Sequence, residues 1–462
     1  MDPQLLSPLN QYLAAELRND AALASVRFDI RHESVPEFLR GYPYTSGTWP
    51  VFVTRQFVRE YFEPLIAGMP RLLYSALRAR FSSSESLAEY FGWPDIICEI
   101  AAQALVDPRD MLIRFDAVQG SAGLKLLESN CGTSAGGWHT DYFHLQMRTR
   151  LARFEQSHGL SFGYHPILRS MLKTVADGIY RRRPAGSTGN LLVHWTFSSG
   201  APDLNVGNFR DSMQAVYDKV KPPALADGRV FIFREYEEIG FTTSGEVTAH
   251  GEVMDAIILG DALLTNMPPT LLNRLIAAYL RQQLVFPDSP FNMLLSDKGL
   301  LAVLHECRMS RLLDADACAL IERYVPWTTR LLDEEVLLEG VQIPLIRHLL
   351  THKDDFVIKK FDSSAGRAVV VGRHVDAATW ERIIPAYANS QTRWIVQQYC
   401  APSRLDLHDA EQGVVPHALI WGIFSFGAAY GGSWIRTDRG VGLQGIINSG
   451  TGATDMPVFE VD

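Results

Sequence analysis

The sequence lacks several features that would place it in a common class of enzyme. Its five cysteines are scattered over 462 residues without a CxxC pair, which indicates reduced thiols rather than a disulfide framework or a zinc site. None of its thirteen histidines belongs to an HExxH motif or to a close cluster with cysteine, so a metalloprotease-like zinc centre is not expected. A GxxxxGKS or GxxxxGKT loop is also missing, which excludes the Walker A mode of nucleotide binding.

Long apolar runs and an excess of basic charge are missing as well. No apolar run approaches the roughly 18 residues that a transmembrane helix requires. Residues 1–20 have neither the basic region nor the apolar core of a signal peptide, so we expect a cytoplasmic protein. The formal net charge of −9 is spread along the chain, which argues against a nucleic-acid or anionic-membrane partner.

What is present is an ordinary globular composition, 47% apolar and 21% charged, in a chain long enough for two or three domains. From Asn190 onward, LLVHWTF, NFRDSMQAVYDKV and RVFIFREY predict a βαβ unit with a parallel sheet, and TTSGEVTAHG with MDAIILG predicts a small hairpin. Near the C-terminus, HALIWGIFSFGAAYGGSWIRTD and GLQGIINSGTGATD predict strands broken by small-residue loops. The predicted organisation is a mainly helical part over 1–110, a hairpin part over 111–165, a second domain over 166–290 and a third part over 291–462.

Residues 114–130, RFDAVQGSAGLKLLESN, have the pattern of a β-hairpin. Two apolar-rich runs flank residues 119–123, which have turn-forming composition. We expect a three-residue loop that ends in Gly123 in the left-handed conformation, and this loop fixes the register of the two strands.

That register brings charged side chains together. Asp116 lies opposite Glu128 and Arg114 opposite Asn130, and the period of two puts all four on one side. Two carboxylates that face each other across a ladder repel, and a cation between them would remove the conflict. Carboxylate and amide oxygens suit Mg²⁺. A surface hairpin in which Arg114 pairs with a carboxylate is an equally open alternative.

A second candidate segment is FVIKKFDSSAGRAVVVG, which predicts strand, small-residue loop and strand. Lys359 or Lys360 faces inward if the first strand is central, and a buried ammonium needs an anionic partner. The loop that follows has backbone N–H groups able to close over phosphates. An exposed hairpin with solvated lysines is the alternative.

Two further segments end in polar side chains. Gln397 and Gln398 close an apolar strand, where amides can contact the edge of an adenine or simply cap a sheet edge. Arg436 follows an apolar run after two glycines. It is placed to clamp a transferring phosphoryl group, or to pair with an acid such as Asp438.

In this order the segments resemble the circularly permuted branch of the ATP-grasp superfamily, most nearly the synthetase domain of glutathionylspermidine synthetases and their relatives. The resemblance runs from about residue 110 to the C-terminus and is strongest over 112–132. The matching stretches are RFD at 114–116, LKLLESN at 124–130, DKGLLAVLHE at 297–306, VIKK at 357–360, SSAGR at 363–367, QQY at 397–399 and GSWIRT at 432–437. Lys360, the stretch CGTSAGG after Asn130, and Thr437 depart from the family pattern, so we expect a different substrate.

The resemblance implies an α/β (α+β) fold, a circularly permuted ATP-grasp fold with a helical N-terminal part and an inserted Rossmann-like pre-ATP-grasp domain. It implies ATP and Mg²⁺ as cofactors. The site residues that it implies are Arg114 and Arg436 for catalysis, Asp116, Glu128 and Asn130 for the metal, and Lys298, Lys359, Lys360, Ser364, Gly366, Gln397, Gln398 and Tyr399 (through its backbone) for the nucleotide.

The implied activity is that of a ligase that joins a carboxylate to an amine through an acyl phosphate. Its expected partners are small molecules, an amino acid or short peptide among them, and neither nucleic acid nor membrane. Open alternatives are a ligase that loads an acyl group onto a carrier protein or thiol, a small-molecule kinase, and an inactive ATP-binding scaffold. Asp116→Ala or Glu128→Ala is expected to abolish ATP turnover and leave the fold intact.

Overall fold

The computed structural model describes residues 6–103, 107–159, 161–182, 188–195, 203–260, 267–363, 366–440 and 445–462. None of the helices in these ranges combines the length and the apolar character that crossing a membrane requires. The helices are α1 Leu9–Asn19, α2 Ala21–Ser25, α3 Arg55–Phe57, α4 Glu63–Arg80, α5 Ser84–Phe91, α6 Asp95–Gln103, α7 Thr140–His158, α8 Ile167–Arg182, α9 Asp203–Tyr217, α10 Pro269–Leu280, α11 Pro290–Ser296, α12 Gly299–Met309, α13 Ala315–Tyr324, α14 Leu345–Thr351 and α15 Ala377–Ala388.

The strands form several separate sheets. They are β1 Val51–Thr54, β2 Leu112–Gly120, β3 Gly123–Cys131, β4 Phe162–Tyr164, β5 Leu191–His194, β6 Val230–Phe233, β7 Gly240–Phe241, β8 Val247–Ala249, β9 Glu252–Val253, β10 Ala256–Ile258, β11 Thr328–Arg330, β12 Glu335–Leu338, β13 Val341–Pro344, β14 Phe356–Lys360, β15 Val369–Val371, β16 Trp394–Gln398, β17 Arg404–Asp409, β18 Gly413–Phe426, β19 Ala429–Asp438 and β20 Thr454–Val461.

The largest sheet has the strand order β1-β20-β19-β18-β2-β3, with β17 also paired to β18 and β4 to β20. Its two faces differ because side chains alternate along each strand. One face presents apolar residues such as Phe115, Trp421 and Ile435, which share a core cluster with residues of α4 and α12. The opposite face carries Asp116 and Arg436, so burial of the first face fixes where the charged side chains point.

The predicted parallel unit is present, with one correction. Strands β5 and β6 are parallel neighbours, as LLVHWTF and RVFIFREY predicted. The segment MDAIILG was expected to complete a small hairpin, but its strand β10 pairs in parallel with β5 instead. The small antiparallel sheet consists of β7, β8 and β9. The partner of a short apolar strand depends on which distant strands are buried beside it, and the sequence of the strand itself does not contain this information.

A smaller antiparallel sheet, in the order β11-β16-β14-β15, faces the hairpin β2–β3. Strands β14 and β15 flank the small-residue loop, as predicted. At the C-terminus the prediction was partly wrong. Among the described residues 445–453 there is no strand. The last strand, β20, begins at Thr454, near the end of the predicted stretch, and continues through residues 456–461, where no strand was predicted.

The N-terminal part is joined to the large sheet. Helix α5 begins with an N-cap at Ser83, whose side chain accepts a hydrogen bond from Ser86 N. Strand β1 runs parallel to β20. The buried Asn10 of α1 binds β1 with both ends of its amide, since Nδ2 donates to Phe52 O at 2.7 Å and Oδ1 accepts from Phe52 N at 2.9 Å. A side chain thus completes the hydrogen bonding of an edge strand.

Asn10→Ala should lower the free energy of unfolding by about 2–4 kcal/mol, because it leaves a buried N–H and a buried C=O without partners. Asn19→Ala, at the exposed end of the same helix, is the matched control and should change it by less than about 0.5 kcal/mol. Urea unfolding of the two variants measures both values. Equal losses would show that the amide of Asn10 contributes nothing specific.

Candidate nucleotide site

The hairpin β2–β3 brings the predicted residues together. Asp116 pairs with Glu128 and Arg114 with Asn130, which confirms the predicted pairing. The turn itself differs from the prediction, because Gly120 pairs with Gly123 across two residues. An irregularity beyond Asp116 then shifts the register by one residue and restores the expected pairs.

Asp116 is buried between two arginines. Arg114 holds both of its carboxylate oxygens, with Nε 2.7 Å from Oδ1 and Nη2 2.9 Å from Oδ2. Arg436 Nη2 lies 2.8 Å from Oδ2. The like-charge conflict that suggested a metal is therefore already relieved by arginine. Arg114 does pair with a carboxylate, as the alternative held, but the hairpin is not a surface feature because Asp116 is only 2% exposed.

Glu128 is held by lysines from two other elements. Lys298, just before α12, places Nζ 3.1 Å from Glu128 Oε2 and also donates to the carbonyl of Ser363. Burial alone would raise the pKa of Glu128, but Lys298 and Lys359 outweigh it and hold this pKa well below its usual range. Burial lowers the pKa of Lys359 to about 8 in spite of Glu128.

The side-chain amide of Gln397 makes two contacts that were not predicted. Its amide is buried, with Oε1 accepting from Lys359 Nζ at 2.6 Å and Nε2 donating to Thr328 Oγ1 at 3.2 Å. The side chain therefore orients Lys359, and its contact with an adenine edge stays a prediction. The backbone N–H of Tyr399 is also engaged, since it donates to Asp355 O at 2.7 Å.

The two lysines of β14 point in opposite directions. Lys359 is buried and also donates to Leu127 O at 3.0 Å, whereas Lys360 is half-exposed and pairs with Asp362 at 2.9 Å. Lys360 therefore points away from the charged cluster, and its contact with the nucleotide stays a prediction. Gly366 lines the cavity described next, and Ser364 lies outside the described residues.

A narrow cavity opens between the two sheets, above the charged cluster. Its walls are mainly aliphatic, and its polar end holds Asp116, Glu128, Lys359 and Arg436. Gln398 and Tyr399 lie at its rim, where the ring of Tyr399 stacks beneath the Arg373 guanidinium at 3.8 Å. The aliphatic lining residues are Val118, Leu127, Val357, Val369, Val371, Ile420, Ile446 and Ile447.

Arg436 contacts Asp116 across β18, which has a glycine, and therefore no side chain, at the position between them. Gly422 of β18 pairs with Asp116 on one side and with Trp434 on the other. A Cβ at 422 would collide with the Trp434 indole and meet the stem of Arg114. Glycine is thus required for two arginines to approach one carboxylate from both sides.

The contact of Arg436 with Asp116 is an ion pair without good hydrogen-bond geometry. Nη2 lies 2.8 Å from Asp116 Oδ2, yet the N–H groups on Nε and Nη2 of Arg436 are not aligned with any acceptor among the described residues.

Three residues beside Arg436 were not predicted as part of the site. Tyr42, His139 and Asp455 form a buried hydrogen-bonded cluster adjoining it. The Tyr42–Asp455 contact joins residues 413 positions apart, so no local pattern could have revealed it. Within the described ranges, no group of three or more His, Cys, Asp or Glu side chains converges as a metal centre.

The chain matches no protein-family model and no curated protein. Among solved structures it is similar to a glutathione synthetase-like effector, GSS30, from Globodera pallida in its apo form, with a TM-score of 0.54 and 12% identity over 99% of this chain and 97% of that chain. The chain therefore has a mixed α/β fold similar to that of the glutathione synthetase-like protein, and at this level the predicted α+β, ATP-grasp-like fold class is confirmed. The predicted domain boundaries stay predictions.

Asp116→Ala should lower the free energy of unfolding by about 3–5 kcal/mol, because it strands two buried guanidinium groups. It is thus a poor test of activity, contrary to the expectation that the fold would stay intact. Asp406→Ala is the control. It removes an ion pair between Asp406, whose side chain is 44% exposed, and Arg18, and it should lower the free energy of unfolding by less than about 1 kcal/mol. Denaturant unfolding measures the free energy of unfolding of both variants. If Asp116→Ala lowers it as little as Asp406→Ala does, the ion pairs of Asp116 with Arg114 and Arg436 are contradicted.

Proposed function

We propose that this protein is an ATP-dependent ligase that joins a carboxylate to an amine, forms an amide or peptide bond, and releases ADP and phosphate. The observation that carries the proposal is the charge balance at the polar end of the aliphatic cavity. Four basic side chains, Arg114, Arg436, Lys298 and Lys359, surround the carboxylates of Asp116 and Glu128. With the carboxylate of Asp455, which lies beside Arg436, counted as well, a formal surplus of one positive charge remains. Buried charge is stable only when compensated, and a polyphosphate would compensate it.

The rest of the cavity suits the base of a nucleotide. A flat purine gains most from two apolar walls, and valine and isoleucine side chains from both sheets line this cavity. With the Gln397 amide engaged by Lys359, the groups left to contact the base edge are Gln398 and the chain that follows Tyr399.

The residues present fit a Mg²⁺ ion. Asp116, Glu128 and Asn130 project from neighbouring strands on one face, and Mg²⁺ commonly takes one or two carboxylates together with substrate phosphates. Asn130 is adjacent to Asp116, with Nδ2 3.2 Å from Oδ2. When bound, the ion held by these residues would neutralise the negative charge of the substrate phosphates. In this state Arg114 and Lys298 would exchange their carboxylate partners for phosphate oxygens.

The proposed reaction has two transfers. An oxygen of the substrate carboxylate bonds to the γ-phosphorus of ATP, the bond to the β–γ bridging oxygen breaks, and ADP leaves with that electron pair. The amine nitrogen then bonds to the acyl carbon, phosphate leaves, and the amine loses a proton to solvent. Arg114 and Arg436 would stabilise the charge on the transferred group, since phosphoryl transfer demands mainly positioning and electrostatics.

The segment from Asp362 to Arg367 would act as a lid. Its Ser363 carbonyl already accepts a hydrogen bond from Lys298, and Gly366 lines the cavity. An acyl phosphate hydrolyses in water, so a cover that excludes water is an advantage. Lys298 would then connect lid, metal ligand and phosphate.

The proposal predicts Mg²⁺-dependent release of phosphate from ATP when a suitable acid and amine are present. A screen of amino acids and short peptides against amines, with products identified by mass spectrometry, measures this. Phosphate release that requires a thiol or carrier protein would favour the thiol-loading alternative. A stable phosphorylated product would indicate a kinase, and Mg·ATP binding without ADP across the panel would indicate an inactive nucleotide-binding protein.

Glu128→Gln tests the site within that screen. The change keeps the shape but removes a charge that the metal and Lys298 share, so the rate of ADP formation should fall by about a hundredfold or more. Glu306→Gln is the matched control, because Glu306 is also paired to basic groups and the two side chains are 22% and 25% exposed. Equal rates in the two variants would contradict the assignment of Glu128.

Lys359 gives a prediction for pH. Its pKa is lowered to about 8 by burial, so its charge is present below pH 8 and lost above it. The affinity for Mg·ATP should therefore fall about tenfold between pH 7 and pH 9. Lys359→Arg should remove this dependence because arginine stays charged. Lys360→Met should retain it. Calorimetric titration measures the affinities, and an affinity independent of pH in the unsubstituted protein would contradict the role of Lys359.

A further inference from the structure

The charged face of the large sheet continues beyond Arg436. Asp455 lies directly opposite Arg436 in the β19–β20 ladder and is buried. Tyr42 donates its hydroxyl to Asp455 Oδ2 at 2.5 Å, and Ser449 donates to Oδ1 at 2.6 Å. His139 Nε2 lies 3.0 Å from the Tyr42 oxygen and 3.6 Å from Asp455 Oδ2. Residues from distant parts of the chain thus surround the carboxylate of Asp455, next to Arg436.

The charge states of the groups around Asp455 determine which of them attract its carboxylate. Arg436 and Arg114 attract its carboxylate. His139 is neutral, because burial lowers its pKa to about 3. Tyr42 stays protonated and donates, since burial and the neighbouring Asp455 raise its pKa well above the usual range. Asp455 is therefore a second carboxylate beside Arg436, on the side opposite to Asp116.

A second carboxylate matters when the first is engaged elsewhere. In the present structure Arg436 contacts Asp116 at 2.8 Å. Under the proposed function Asp116 shares its charge with a divalent cation and compensates Arg436 less. A buried guanidinium that loses its partner becomes costly and poorly placed. Asp455, fixed by two hydroxyl donors, stays available throughout.

We propose that Asp455 is a positioning residue: held by Tyr42 and Ser449, it keeps Arg436 directed at the transferred phosphoryl group while Asp116 is engaged by metal. Asp455 itself touches no substrate. The inference rests on the proposed function, and it gives the N-terminal segment that carries Tyr42 a part in the active site.

The titration of Asp455 supplies the means to test this. Burial raises its pKa to about 6, against the opposing effects of the Ser449 and Tyr42 hydrogen bonds and the charge of Arg436. The positioning charge is present above pH 6 and lost as the pH falls through that value. Removal of the Tyr42 hydroxyl withdraws a donor from the carboxylate and raises its pKa further.

The experiment is the profile of kcat for ADP formation between pH 5 and pH 8, at saturating Mg·ATP, in the full chain. The unsubstituted protein should lose activity with a midpoint near pH 6. Tyr42→Phe should move this midpoint up by at least half a pH unit. Asp455→Asn should lower the plateau by at least tenfold and abolish the midpoint. Tyr44→Phe, which removes the hydroxyl of the neighbouring exposed tyrosine, should leave the profile unchanged. Substrate ionisation is common to all variants, so the differences report on the protein.

Three results would overturn the inference. One is an Asp455→Asn variant with the original plateau and midpoint. Another is a loss of kcat that comes with a melting temperature lowered by more than about 5 °C at pH 7.5, since a structural role predicts that loss. A Tyr42→Phe midpoint identical to that of Tyr44→Phe would likewise contradict it.

Failure of the proposed function would look different. If the unsubstituted protein forms no ADP with any acid and amine, the ligase proposal fails, and Asp455 is then judged on Mg·ATP affinity by calorimetry. Affinity should weaken below pH 6 in the unsubstituted protein and stay constant in Asp455→Asn. The same pH dependence in both would overturn the positioning role.

Discussion

The buried ion pairs of Asp116 with Arg114 and Arg436 are the constraint on which the rest of the site depends. Charges removed from water are stable only when each has a partner, so the three side chains fix one another. Gly422 allows the two arginines to approach across β18, and the apolar opposite face of the sheet keeps the charged face in place. A shift of β2, β18 or β19 would therefore disturb the ion pairs of Asp116 with Arg114 and Arg436.

The cluster joins parts of the chain that are far apart in sequence. The hairpin β2–β3 supplies Asp116 and Glu128, β14 supplies Lys359, and β19 supplies Arg436. The N-terminal segment contributes Tyr42, although it carries no recognisable motif. Two sheets thus face each other, and both contribute basic side chains that a polyanionic ligand could contact together.

The sequence predicted the local part of this arrangement and missed the non-local part. The pairing of Asp116 with Glu128 follows from strand period and turn composition, and it survived a misjudged turn because a bulge compensated for it. Neutralisation by Arg436 could not be predicted, since that contact spans more than 300 residues. The contacts of Gln397 could not be predicted for the same reason, because its partners Lys359 and Thr328 lie on neighbouring strands.

The most direct test of the account is a crystal structure of the protein with Mg²⁺ and a non-hydrolysable ATP analogue such as AMP-PNP. The account predicts the base between the valine and isoleucine walls, a metal ion bound by Asp116, Glu128 and Asn130, and Arg114 turned from Asp116 to the phosphates. A nucleotide bound elsewhere, or phosphates held with the Arg114–Asp116 pair intact and no metal at Glu128, would contradict it.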